Sequence, residues 1–174
     1  DERTMLVEHF RDETGAVRVV LHAPFGGRVN APWGMALAQR AREALGAGDP
    51  GSVDVQVQTT DDGIMLRLPD LRGEPPVGAL LGLSPAEAER RVTDEIGDTP
   101  LFGARFRMNA ARALMLARGS PRRRMPLWLQ RLKALDLLDA VRAHPSFPLL
   151  VETYREVLQD AFDVEGMRTV LARL

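Results

Sequence analysis

A chain of 174 residues with 45% apolar and 27% charged side chains is long enough for one domain or two small ones with a true core. Its formal net charge is -1, so bulk charge marks no polyanion partner, and any such contact must come from local clusters. It has no cysteine, which excludes disulfides, zinc ribbons and thiol nucleophiles. No apolar run approaches membrane-spanning length, and the N-terminus is not a signal peptide.

In chain order, "TMLVEHFR" (4–11) reads as a strand, "DETG" (12–15) as a turn, and "AVRVVLH" (16–22) as a second strand with Val17, Val19 and Leu21 on one face. The two make a hairpin. The loop "APFGGRVN" follows. Asn30 suits an N-cap and Pro32 a first helical turn, which predicts a helix from about 31 to 45, ending at Gly46. "VDVQVQ" (53–58) alternates, with Val53, Val55 and Val57 inward, "DDG" (61–63) is a tight-turn signal, and "IMLRL" (64–68) is a fourth strand with Ile64, Leu66 and Leu68 on one face. The first 70 residues thus predict β-β-α-β-β, an antiparallel sheet with one helix and one buried sheet face.

After "PDLRGEPP" the period becomes helical. A short segment at 77–82 precedes "SPAEAERRVTDEI", where Ser84 caps, Pro85 takes the first position and Glu87 completes a capping box. Further helices are expected at 99–117, 126–143, 147–162 and 164–173. The predicted class is α+β, with subdomains 1–72 and 73–174. The sequence begins at Asp1 and opens almost directly into a strand, as expected of a piece of a longer polypeptide.

No catalytic constellation emerges. His9, His22 and His144 show no metal-ligand spacing, and no serine lies in a nucleophile elbow. "PFGGRVN" lacks the Lys-Ser/Thr ending of a nucleotide P-loop. Its glycines Gly26 and Gly27, with Arg28 and Asn30, still enter a helix N-terminus, where an anion is favoured. The alternative is a plain strand-to-helix corner with Arg28 in solvent. Trp33 is either the first residue of the core stripe continued by Leu37 and Ala41, or a ring left open to stack on a base. In the 99–117 helix, Arg105 and Arg107 flank an apolar stripe containing Phe102 and Phe106, where they either cover core edges or line a phosphate track. "RGSPRRRMP" adds Arg122, Arg123 and Arg124, the densest positive cluster in the chain and its best hint of a polyanion.

Four blocks, "HAPFGGRVNAPWGMAL", "TPLFGARFRMNAARALMLARG", "MPLWLQRLKALDLLDAV" and "HPSFPLLVETYREVLQDAFDVEGM", resemble in order the DEAD/H-associated domain of the large helicase-related (Lhr) family, over nearly the whole chain. The resemblance implies one accessory domain of an ATP-dependent helicase that moves three-prime to five-prime on single-stranded DNA and unwinds DNA or RNA:DNA duplexes. DNA repair and a cytoplasmic location are the roles it implies. ATP and Mg would belong to motor domains of the parent protein, with no cofactor, metal or catalytic residue in this chain. The partners implied are single-stranded DNA or an RNA:DNA hybrid, and the motor and winged-helix domains of the same polypeptide, with no membrane. The chain departs from the family at Ala23, where a serine is common, and at Phe106 and Met108, where tryptophans are common. These departures favour Arg28 and Trp33 as the contacting residues, with backbone held at Gly26, Gly27 and Asn30 and charge added by Arg105, Arg107 and Arg122–Arg124. The rival expectation is a structural brace between winged-helix and motor domains that touches no nucleic acid.

Overall fold

The computed structural model describes residues 4–46, 53–71, 73–116 and 126–174. Strands β1 (Leu6–Arg11) and β2 (Val17–His22) form the expected hairpin. Its turn is organised by one carboxylate. Asp12 Oδ1 accepts the Thr14 hydroxyl at 2.6 Å and the N–H groups of Thr14 and Ala16 at 3.0 and 3.1 Å, while Oδ2 takes Arg18 Nε at 3.0 Å. The Thr14 hydroxyl, helped by these other donors against some desolvation, holds the Asp12 carboxyl well below the usual carboxylate range.

Helix α1 (Gly27–Leu45) crosses from β2 to β3 (Gln56–Thr59), and β4 (Gly63–Leu68) returns between β3 and β2. The sheet order is β1-β2-β4-β3, antiparallel throughout. Val19 lies opposite Leu66, so Val17, Val19, Leu21, Ile64, Leu66 and Leu68 share the buried face. That alternation is what a half-buried antiparallel sheet requires. The third strand starts later than the 53–58 pattern suggests. Val55 is buried ahead of it, and Val57 is exposed on the sheet edge.

Helix α1 lies close against this face. A Cβ on Gly34 would stand 2.7 Å from Thr59 Cγ2 and 3.0 Å from Val57 Cγ2, so only glycine permits the approach. Helices α2 (Val77–Leu81) and α7 (Val164–Leu171) also pack on α1, which is why Leu37, Ala36, Ala38 and Ala41 are all enclosed.

Helix α3 (Pro85–Ile96) begins as predicted, with Ser84 Oγ accepting the Glu87 N–H at 3.2 Å. The capping box is only half made. The Glu87 carboxylate turns instead to Arg40 and Arg91, each at 2.9 Å, and Arg91 also reaches Glu43 at 2.8 Å. This network ties α3 to α1. The Arg91 hydrogen bond is the main reason that the Glu43 carboxyl lies below its ordinary value. Burial pushes Glu87 up, but Arg91 and Arg40 together bring it below as well.

These depressed carboxylates set an acid limit. A carboxyl whose folded value is lowered contributes stability that is fully present above its unfolded value, about 3.9 for Asp, and lost as pH falls through the folded value. The melting temperature is therefore expected to be flat from neutrality down to about pH 4 and to fall below it. Asp12→Asn should flatten the acid limb in a thermal-melt series against pH. An unchanged limb would remove Asp12 from the account.

The chain packs as two compact units, Asp1–Asp94 with Phe162–Leu174, and Glu95–Ala161. The composition shift at 70–76 falls inside the first, and the last helix, α7, belongs with the sheet. The second unit holds α4 (Pro100–Arg112), α5 (Leu127–Arg142), α6 (Pro148–Arg155) and a π-helical stretch, Glu156–Ala161. Thr99 caps α4 by accepting the Phe102 N–H at 3.2 Å. Phe102 and Phe106 are buried, the former against Tyr154 with ring centroids 4.6 Å apart. Helix α4 stops short of the expected residue 117, and Leu114 takes a left-handed conformation at φ 58°.

Candidate nucleic-acid interface

The helix after "HAPFGG" starts earlier than its sequence signals suggest. Gly26, at φ 85°, is the N-cap and Gly27 the first helical residue. Asn30 is therefore not a cap. It sits fully buried within the first turns of α1, and its Nδ2 donates to the carbonyls of Ala23 at 2.6 Å, Thr60 at 2.9 Å and Asp61 at 3.3 Å. Three carbonyls can be met only by a donor, which fixes the amide orientation. Asn30 thus clamps the β2–α1 corner to the β3–β4 turn.

The anion favoured at the start of α1 is supplied by the chain itself. Asp61 Oδ1 accepts the Gly27 N–H at 2.7 Å, and the Asp61 carbonyl accepts the Gly26 N–H at 3.0 Å. An acidic side chain at a helix N-terminus satisfies both an orphan donor and the dipole. Gly26, Gly27 and Asn30 accordingly build a closed corner and not an open phosphate cradle.

Trp33 is corrected in the same way. Its side chain is 1% exposed, tilted against Phe25 at 6.4 Å, and starts the core stripe. No ring face is left for a base. Arg28 is exposed, and it also has a local role. Its carbonyl accepts the Asp163 N–H at 2.9 Å, and its Nη2 stands 3.5 Å from the Phe162 carbonyl. These contacts join the start of α1 to the loop before α7.

In the second unit, Arg105 and Arg107 flank the buried Phe106 on α4. Both are part-exposed, and neither guanidinium has a hydrogen bond or ion pair among the described residues. Arg107 borders a cleft of about 550 Å³ between α4 and α5, together with Pro100, Gly103, Arg131, Leu135 and Leu138. Arg142 lies at the same cleft but is committed, 2.7 Å from Asp98 and 2.9 Å from the Gly97 carbonyl. Arg131 has no such partner among the described residues. Arg122, Arg123 and Arg124 lie outside the described residues.

Trp128 was not among the expected contacts, yet it is 65% exposed on the first turn of α5. Arg131, Leu132 and Leu135 follow it on the same helical face, and both leucines are exposed. A sequence signal was available. Residues 99–135 contain no Asp or Glu against nine Arg or Lys, although the whole chain is near neutral. Met108 is also exposed, so only the Phe106 half of that departure concerns packing.

His9 pairs opposite Val19 on the helix-facing side of the sheet, whereas His22 lies on the other side, 3.3 Å from Glu8. Among the described residues no group of three or more His, Cys, Asp or Glu could hold a metal. No described helix is long and apolar enough to cross a membrane.

With this geometry the chain can be set beside known proteins. The DEAD/H associated family matches residues 1–174. The chain is 43% identical over 173 residues to the Lhr helicase/probable uracil glycosylase of Mycolicibacterium smegmatis, covering 99% of this chain and 11% of that protein. It is 41% identical over 172 residues to the Lhr helicase/uracil glycosylase of Escherichia coli, again covering 99% and 11%. With the ATP-dependent helicase Lhr-Core of Saccharolobus solfataricus the identity is 29% over 175 residues, covering 99% and 19%. A solved structure, that of Mycobacterium smegmatis helicase Lhr bound to ssDNA and AMP-PNP, superposes with a TM-score of 0.81 at 42% identity, over 98% of this chain and 21% of that one. The chain thus spans about a tenth of the length of the first two relatives. It is an α+β chain that belongs to the DEAD/H associated family, and its relatives are Lhr helicases.

Proposed function

We propose that this chain is an accessory, non-catalytic module of an ATP-dependent helicase that binds single-stranded nucleic acid beside the motor and winged-helix domains. The observation that carries this reading is the likeness, over 98% of the chain, to a helicase solved with ssDNA bound. The acid-free stretch 99–135 supports it, as do Arg105 and Arg107, which no described carboxylate neutralises. Arginines in this condition suit phosphate, because the guanidinium fork matches it and no local ion pair must break first. ATP and Mg would act in the motor domains, where the hydrolysis belongs. A strand of either an RNA:DNA hybrid or DNA presents the same phosphates to such a surface. We infer a cytoplasmic location and a role on DNA under repair, in keeping with the Lhr helicase relatives.

The brace reading gains one specific support. At the 22–37 corner the enclosed Trp33 and the Asp61 carboxylate on the helix start fit a structural joint. Strand contact is therefore assigned to α4 and the cleft, with Arg28 the exposed arginine of the corner.

The test is anisotropy of a labelled single-stranded oligonucleotide across a salt series. Each phosphate contact contributes about -0.7 to the slope of log K against log salt on single strands. Arg105→Glu with Arg107→Glu should weaken binding at least tenfold and reduce the slope by about 1.4. Equal affinity and slope in the double variant, with an unchanged melt, would take the strand contact off Arg105 and Arg107, whereas a wild-type chain with no salt-dependent binding would leave the brace as the surviving reading.

A further inference from the structure

Base stacking needs an open ring, and Trp33 does not provide one. The chain has only one other tryptophan. Trp128 is 65% exposed at the start of α5, one turn before Arg131 on the same face. Arg131 in turn shares the α4–α5 cleft with Arg107, over an apolar wall of Leu135, Leu138 and Pro100. We propose that Trp128 and this cleft form a nucleotide subsite for single-stranded nucleic acid, with one base stacked on the indole and the flanking phosphates held by Arg131 and Arg107. This rests on the single-strand reading above and names its contact residues.

Charge decides the occupant. Helix α5 has no acidic residue before Asp136, and α4 has none at all. Among the described residues the guanidinium groups of Arg107 and Arg131 have no partner. A protein surface laid on Leu127, Trp128 and Leu132 would enclose these cations, and the carboxylate that lines the cleft, Asp98, is already taken by Arg142, a costly arrangement. A single strand brings both complements at once: a flat apolar ring for the indole, and a negative charge at every step for the arginines. Stacking of this kind tolerates any base, because each has a π-face. The subsite accordingly predicts binding without sequence preference.

The two tryptophans make the test direct. In Trp33→Phe all indole emission comes from Trp128. Titration of that variant with an oligothymidylate at low salt should quench the emission and reduce its quenching by iodide. Trp128→Ala should weaken binding by about 5- to 100-fold, the range that loss of one stacked base gives, with an unchanged melt. Arg131→Ala should lower the salt slope by about 0.7. If the oligonucleotide binds while Trp128 emission and iodide access stay constant, or if Trp128→Ala binds like wild type, the subsite is wrong and single-strand binding stands on other arginines. If the wild-type chain shows no salt-dependent binding, both readings fall. A Trp128 closed to iodide before any oligonucleotide is added would reveal a protein face or second copy on this surface, and would also overturn the proposal.

Discussion

Asn30→Asp is expected to be among the most damaging single changes in this chain. The side chain is fully buried, and its amide donates to the carbonyls of Ala23, Thr60 and Asp61. A carboxylate there would face three acceptors with no donor, and would bury a charge besides. Asn30→Ala is the milder test, because it removes the donor without adding a charge. It leaves the Ala23 and Thr60 carbonyls without this partner in a dry corner, at about 1–3 kcal/mol for each unsatisfied group. A loss of roughly 3 kcal/mol would lower the melting temperature by roughly 6–12 °C in a domain of this size. Asn30→Asp should fall further or fail to fold. The Asn30 Oδ1 is buried without a partner, so the gain from this residue lies wholly in its Nδ2. If Asn30→Ala melts with wild type, the corner is held by the Asp61 contacts to Gly26 and Gly27 and by the Ala23 N–H on the Asp62 carbonyl.

That corner shows where the sequence is legible and where it is not. The hairpin turn at Asp12–Gly15 and the alternation of β2 and β4 are local codes, and both stand in the structure as read. Helix starts at Ser84 and Thr99 are local too: each cap bonds an N–H three residues on. The start of α1 is not local. Its true acidic partner, Asp61, comes 34 residues after Gly27, and only the β3–β4 turn delivers it. Asn30 carries the signature of a cap, yet tertiary contact puts it to another use. Glu87 is similar. The box spacing is present, but Arg40 and Arg91 outcompete the Ser84 backbone for its carboxylate.

The candidate site follows the same division. Composition marks 99–135 as basic, and the flanking positions of Arg105 and Arg107 on α4 follow from helical period. Which tryptophan is open does not follow from either. In the sequence, Trp33 and Trp128 each fall in the first turn of an expected helix, with an arginine within five residues. Helix α1 is covered by the sheet, α2 and α7, so its aromatic residue is enclosed. Helix α5 buries only Ala134, Leu138 and Val141, a narrow stripe that leaves Trp128 outside.

The buried ring therefore makes a prediction opposite to that of a stacking residue. Trp33→Ala opens a large cavity between α1 and its neighbours and should cost about 3–5 kcal/mol. Binding by that variant should fail together with its melt, at temperatures where wild type is folded. Trp33→Phe keeps most of the ring. The indole Nε1 has no hydrogen-bond partner, so phenylalanine forfeits no polar contact, and the loss should stay near 1–2 kcal/mol. It should bind single strands as wild type does wherever it is folded. Trp128→Ala gives the complementary pattern, with the melt unmoved within about 0.5 kcal/mol, as for a surface change, but binding impaired. Circular-dichroism melts and oligonucleotide affinities measured on the same three variants separate the roles. A Trp33→Phe chain that melts normally but loses binding would return the contact to Trp33. It would also mean that the corner opens in the presence of nucleic acid, because the ring has no free face as folded here.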